Sequence, residues 1–561
     1  MEITNRKWLL LLAALTLVLG LVAAGCGGNG DDGDAADDTG TEEVPDDERA
    51  AEQVITVAWG AEPPSLDPGL ATDTTSANIL LNIMDPLVTL EGEDLEPTPS
   101  LAESWDVSED GTVYTFHLRE DGRWTNGDPV TANDFEWSWK RVLDPETAAD
   151  YAYQLYGIEG AQEFNECEEN CEQLRDQVGV RATDERTLEV TLTSAQPWFP
   201  QLVAHHVFLA VHQPTVEQHG ANWTEAANIV TNGPFQLERW EHEANIDLVK
   251  WDEWRNADEI ALERINGRII VDGTTAVQAF EAGEVDYVNT GIPPTEMGRL
   301  RETDDFQQYP SLGTYYYGFN VNNVTDVHQR RAMSLAINRQ SIIDNIAQGG
   351  QLPAAVFTPE GITGYEEIAP DGSPWTPPEG DMERAQEEME QAENPKMDIN
   401  LVHNNAPGHR EIAVAVQGMW RELGLNVNIS AQEWAQYLEN IGPPPSQQVD
   451  VFRLGWIFDY PDAMNGLELW TSGSGNNPTG FANEEFDRLV EEARATPDDE
   501  ERYELYNQAE TIMFGEEGEV PLIPIYHYTT VSLENAKVRD TLNINAQTQV
   551  DFTKVVVREA S

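Results

Sequence analysis

The sequence predicts a mixed α/β fold with more than one domain. Short runs of alternating apolar and polar residues are interleaved with amphipathic stretches at helical spacing, in irregular order. Clusters of Gly, Pro, Asn and Asp punctuate them. The 561 residues are 40% hydrophobic and include 16 Trp, enough for several cores. No internal repeat is visible, which argues against a solenoid or a propeller.

Val54 to Trp59 reads as the first strand, and the prolines from Pro63 to Pro68 as a turn-rich connection. Around 111–124 the pattern is a hairpin, with Tyr114, Phe116 and Leu118 alternating against Val113, Thr115 and His117 between Asp-Gly turns. A helix is expected over 131–143. Thr131 would cap it, Asp134 stands three residues on, and Phe135, Trp139 and Val142 share a face. Leu188, Val190 and Leu192 alternate as a strand. Helices are expected over 330–347, 410–423 and 500–514, and a buried, proline-interrupted strand over 520–528.

Charge narrows the function. Asp and Glu number 101 against 32 Lys and Arg, a formal net charge of −69. Phosphate binders need clustered cations, so nucleic acid is excluded as a partner. Charge-driven docking on anionic lipid is disfavoured for the same reason. So large an acid excess repels itself unless salt screens it, and the expectation is adaptation to high salt.

Arg6 and Lys7 precede an apolar run from Trp8 to Val22, followed by Ala23-Ala24-Gly25-Cys26. A basic start, a short apolar run and small residues read as a secretory signal over 1–25. The small residues ahead of Cys26 resemble a bacterial lipobox, with Ala23 where Leu is usual. That resemblance implies cleavage before Cys26 and acylation of its thiol. Residues 26–53 are rich in Gly, Asp and Glu without apolar periodicity and are expected to be a disordered acidic tether. Cys167 and Cys171 then remain. Outside the cytoplasm a disulfide closing this short acidic loop is plausible, with both cysteines in a turn. A metal site with Glu166 is the alternative.

No catalytic constellation stands out. GxSxG, HExxH and a phosphate-cradling Gly-Lys-Ser are all missing from the sequence. His205, His206, His212 and His219 cluster, but their spacing does not fit one helix face. No cofactor and no metal are expected.

Six segments, in order, carry a resemblance. They are 65–68 (SLDP), 101–105 (LAESW), 124–134 (WTNGDPVTAND), 228–235 (NIVTNGPF), 315–320 (YYYGFN) and 455–460 (GWIFDY). Together the chain resembles extracytoplasmic solute-binding proteins of family 5, the oligopeptide-binding proteins of ABC importers. The resemblance covers everything from about residue 54. It implies an α/β, two-lobe fold of the type II periplasmic-binding-protein kind, with a hinge and an additional α/β domain. Lobe I would comprise 54–95, 226–310 and 526–561, the extra domain 96–225 and the second lobe 311–525. The implied function is a lipid-anchored, non-enzymatic protein that captures oligopeptides between its lobes and delivers them to the permease and ATPase of an importer. The implied state is a monomer on the outer face of the cell membrane. The alternatives are the same fold with another ligand (a dipeptide, a nickel chelate or a sugar) and a peptide sensor.

A binder of many peptides reads what all share: strand-like backbone and charged termini. A buried ammonium needs a carboxylate. Asp459 matches the family position that pairs with the peptide's α-amino group, after the apolar run Gly455, Trp456, Ile457 and Phe458, which would offer main-chain bonds. A carboxylate terminus wants Arg or His, and Arg453 and His409 match positions that serve it. Trp434 and Trp456 match walls of side-chain pockets. Tyr151 and Tyr153, from the extra domain, would cover the ligand. Thr74 aligns with a strand edge touching the ligand backbone.

Overall fold

Two long neighbouring strands organise the main sheet. Phe306–Phe319 has 14 residues and Leu522–Glu534 has 13. They run antiparallel, and their register shifts between Pro310 and Thr314. The computed structural model describes residues 44–559 apart from 46–47, 93–94, 290, 366–375, 406–407, 433, 443–444, 475 and 543. The expected signal, Cys26 and most of the expected tether therefore lie outside the described residues. No helix among those described is long and apolar enough to cross a membrane.

The rest of the sheet hangs on opposite ends of this strand pair. Tyr287–Val288 pairs with the Leu533–Glu534 end and leads to Val54–Ala58, Arg264–Arg268, Asn245–Lys250 and Phe235–Glu241. Val451–Ile457 pairs with Gly313 to Phe319 at the other end and leads to Asp398–Asn404 and Asn426–Gln432. The result is two lobes, with the register break between them. One lobe is cored by Ile55, Val57, Ile246, Leu248 and Ile265, the other by Phe319, Ile337, Leu401, Trp420 and Ile523. Each such side chain contributes roughly 1.5–3 kcal/mol by leaving water.

A separate four-stranded antiparallel sheet comprises Ala102–Val107, Val113–Leu118, Thr187–Thr191 and Val180–Asp184. Helix Ala132–Val142 packs on it through buried Phe135, Trp139 and Val142. Asp134 accepts from the Thr131 backbone N–H at 2.8 Å and from its hydroxyl at 2.9 Å, which anchors the helix start. The hairpin turns at Asp110-Gly111, where Gly111 has φ +68°. Val113–Leu118 pairs on one edge with the preceding strand, Ala102–Val107, and on the other with Thr187–Thr191, so the hairpin spans 102–118 rather than 111–124.

Three further expectations are revised. The helix expected over 330–347 is broken into Val327–Leu335 and Arg339–Ile342, the second continued by a wider helical turn over Ile343–Ala347. The Asn338 side chain caps the second piece by accepting from Ser341 N at 2.7 Å. Arg339, 1% exposed, donates to the carbonyls of Pro524 and Ser334. The strand expected over 520–528 extends from Leu522 to Glu534, and Pro524 sits at a second register shift, where a missing N–H is tolerated. Residues 48–53, at the end of the expected tether, lie along the C-terminal segment. Ala50 N donates to Val557 O at 2.8 Å, and the Gln53 side chain brackets Val557 through both its amide atoms at 2.9 Å.

Candidate functional site

Strand Val451–Ile457 and the turn after it carry most of the candidate residues. Arg453 sits among aromatic side chains. Its guanidinium lies 4.3 Å from the Tyr315 ring centroid and donates to Tyr528 Oη at 3.0 Å. Its backbone carbonyl accepts from the Tyr437 hydroxyl. Gly455 makes this packing possible, because a Cβ there would lie 2.5 Å from Tyr528 Oη. Arg453 Nη1 also donates to Asn404 Oδ1 at 3.5 Å, the hydroxyls of Tyr315, Tyr528 and Tyr526 act on the guanidinium against burial, and no acid among the described residues pairs with it. Its Nε is buried with no hydrogen-bond partner among the described residues.

His409 opens helix His409–Glu422, and its Nδ1 lies 3.3 Å from Tyr315 Oη. Burial, then Arg453 and His403, push its pKa down to about 4. It is neutral at pH 7, and an anion arriving beside it would favour its protonation.

Asp459 lies two residues beyond the strand. Burial pushes its carboxyl above the ordinary 3.8, opposed by hydrogen bonds from Gln154, Asn465 and Tyr153. No Lys or Arg among the described residues contributes. From Arg453 to Ile457 the strand spans roughly 13 Å, and Asp459 follows in the bend after it. Between them Trp456 is half-buried, with its indole bonded to Asn465 Oδ1 at 2.9 Å, and Ile457 is 59% exposed. An acid lacking a cation and a cation lacking an acid can together hold an extended ligand with one positive and one negative end.

Tyr151 and Tyr153 reach this region from the segment between the strands of the smaller sheet. Their ring centroids are 5.8 Å apart, Tyr151 packs against His205 and His206, and Tyr153 is 47% exposed. Trp434 begins helix Trp434–Ile441, and its side chain lies outside what is described. Thr74 is not on a strand edge. It is the first residue of helix Thr74–Ile83, whose N-cap Asp73 accepts from Ser76 N at 2.9 Å. A capping carboxylate satisfies the first turn and makes helix the stable choice despite two consecutive threonines.

Cys167 and Cys171 form a disulfide across the loop between two short helices, with Cα atoms 5.7 Å apart. Among the histidines, His206 Nε2 lies 3.0 Å from Ala71 O and His212 Nδ1 lies 2.7 Å from Thr215 Oγ1. Among the described residues no group of three or more potential ligands could hold a metal ion. Sequence reasoning missed Gln154, Asn465 and Tyr528. Alternation of Tyr526 and Tyr528 could have flagged the last as facing Arg453, but nothing local marks the other two.

Two lobes on a shared strand pair, with a cation on one strand and an acid of opposite sign in the bend after it, define a binding protein for an extended ligand. The chain belongs to the bacterial extracellular solute-binding proteins, family 5, whose middle region matches residues 96–478. It is 32% identical over 558 residues to the oligopeptide-binding protein OppA of Bacillus subtilis, covering 96% of this chain and 97% of that protein. The unliganded open form of the periplasmic murein tripeptide-binding protein MppA superposes with a TM-score of 0.81 at 28% identity, over 91% of this chain and 99% of that one. Haemophilus influenzae OppA in complex with the peptide RPPGFSPFR gives 0.68 at 28% identity, over 91% and 100%.

Proposed function

We propose that this chain captures oligopeptides between its lobes and hands them to the permease and ATPase subunits of an ABC importer, held at the extracytoplasmic face by a lipid on Cys26. The observation that carries the reading is Asp459. A half-buried carboxylate with no cation beside it among the described residues is stabilised by one brought in by a ligand, and a peptide's α-ammonium is such a cation. Arg453 and His409 receive the peptide carboxylate. Gly455, Trp456 and Ile457 offer backbone and wall, Trp434 a second wall, Tyr151 and Tyr153 a cover, and Thr74 a contact from the other lobe. In this reading 54–95, 226–310 and 526–561 form lobe I, 96–225 the extra domain and 311–525 the second lobe. The greater likeness to an unliganded open relative than to a peptide complex supports an open cleft here, closing when ligand selects the closed state.

The test is native and denaturing mass spectrometry of residues 27–561, purified in molar salt without denaturation. Peptides with free N-termini are expected to co-purify. An empty protein that also fails to bind a mixed peptide pool in titration overturns the reading.

A further inference from the structure

Asn465 is 4% exposed and is the second residue of the short helix Met464–Leu467. Its side-chain oxygen accepts from Trp456 Nε1 at 2.9 Å and from the Asp459 backbone N–H at 3.2 Å. Both neighbours only donate, so the oxygen must face them and the NH2 is left as a donor. Asn465 is also among the groups whose hydrogen bonding opposes the burial that raises the Asp459 carboxyl. One side chain thus ties a pocket wall to the backbone of the turn that carries the acid.

The placement of Asn465 is itself determined from behind. Asp462 is fully buried, and its Oδ1 accepts from Met464 N at 2.8 Å, which starts the short helix, and from the Tyr506 hydroxyl at 2.8 Å. Its Oδ2 faces Arg502 at 3.5 Å. Helix Asp499–Phe514 therefore fixes Asp462, Asp462 fixes the helix start, and the helix start aims the amide.

We infer that Asn465 is a positioning residue for ligand amines: its side-chain oxygen holds the backbone of the Asp459 turn in one arrangement and couples it to the Trp456 wall. This rests on the reading of Asp459 as the amine anchor. Neutral donors from Asn465, Gln154 and Tyr153 favour the charged form without supplying a competing cation. An arriving ammonium then has no ion pair among the described residues to displace. The other titratable groups felt around Asp459 are Tyr151, Tyr153, Tyr460 and Glu468, and Glu468 is engaged by Arg494 at 2.9 Å.

The test measures affinity against pH for one peptide pool, free or N-acetylated, on the full mature protein. The wild type should prefer free amines and lose that preference as acid protonates Asp459. Asn465→Asp keeps an oxygen for Trp456 but replaces the NH2 with a second acid. Two adjacent carboxyls resist joint ionisation, so the midpoint should move up by about a pH unit or more. Asn465→Ala should move it in the same direction by less. Asp459→Asn should abolish the midpoint, which assigns it to Asp459 rather than Glu468. If the wild type binds both pools equally, the amine reading fails. If it discriminates but the folded Asn465 variants keep its midpoint, the Asn465 inference alone fails. If both Asn465 variants prove unfolded in melting experiments, the amide is merely structural and the inference also fails.

Discussion

The Arg453 guanidinium lies 4.3 Å from the centroid of the Tyr315 ring, on the strand paired with its own. A chain with 101 acids against 32 Lys and Arg leaves this cation on an aromatic face with no carboxylate among the described residues. Charge-assisted hydrogen bonds of this kind contribute about 1.5–3 kcal/mol. Arg453→Met should therefore weaken peptides with a free C-terminus by about tenfold or more and leave C-amidated peptides within about threefold. Isothermal titration checks it, and equal losses for both would remove Arg453 from carboxylate recognition.

Asp459→Ala should cost several kcal/mol in affinity for free-amine peptides, the scale of deleting one partner of a buried ion pair. N-acetylated peptides should be nearly indifferent. Titration with matched pairs reads the difference, and unchanged affinity excludes Asp459 from the site.

Stability should depend on pH through Glu534. This residue is fully buried and accepts from Tyr309 Oη at 2.8 Å and Ser532 Oγ at 2.6 Å. Burial raises its pKa from 4.5 to about 7. Between those values the folded state binds the proton more tightly than the unfolded chain. The contribution is present at the acid end and is lost as pH rises through about 7, by about 3 kcal/mol in total. Glu534→Gln should flatten the fall in denaturation midpoint between pH 5 and pH 8. An unchanged slope would show that other groups cause it.

Salt should stabilise the fold. A net charge of −69 repels itself, and the Debye length shrinks from about 10 Å at 0.1 M salt to about 3 Å at 1 M. Tm should climb by about 5 °C or more across that range. A flat Tm by calorimetry rejects adaptation to high salt.

Cys26→Ala should move the protein from the membrane fraction to the soluble fraction, because in the proposed reading the acyl chains on the Cys26 thiol are the anchor. Fractionation and immunoblotting decide it. A variant that stays with the membrane is anchored elsewhere.

Much of this was legible in the linear chain, because it rests on local physics. The Thr131–Asp134 helix start, the alternation of Tyr114, Phe116 and Leu118, and the helices His409–Glu422 and Asp499–Phe514 follow from periodicity and capping. Helix Val327–Leu335 was not legible in length, since its break depends on where Arg339 finds carbonyls, one of them Pro524, 185 residues away. Tyr315, Tyr316 and Tyr317 look like a polar-tipped run, yet all three are at most 1% exposed. Their strand is central and covered on both faces, a property of sheet order and not of the strand. Residue type and order determined the α/β class and the charge, and the family resemblance of six segments pointed to Asp459, Arg453 and His409 as candidates. Only the tertiary structure decided which partners those charges have, because Gln154, Asn465 and Tyr528 reach them across long stretches of chain or around a turn that distant residues hold in place.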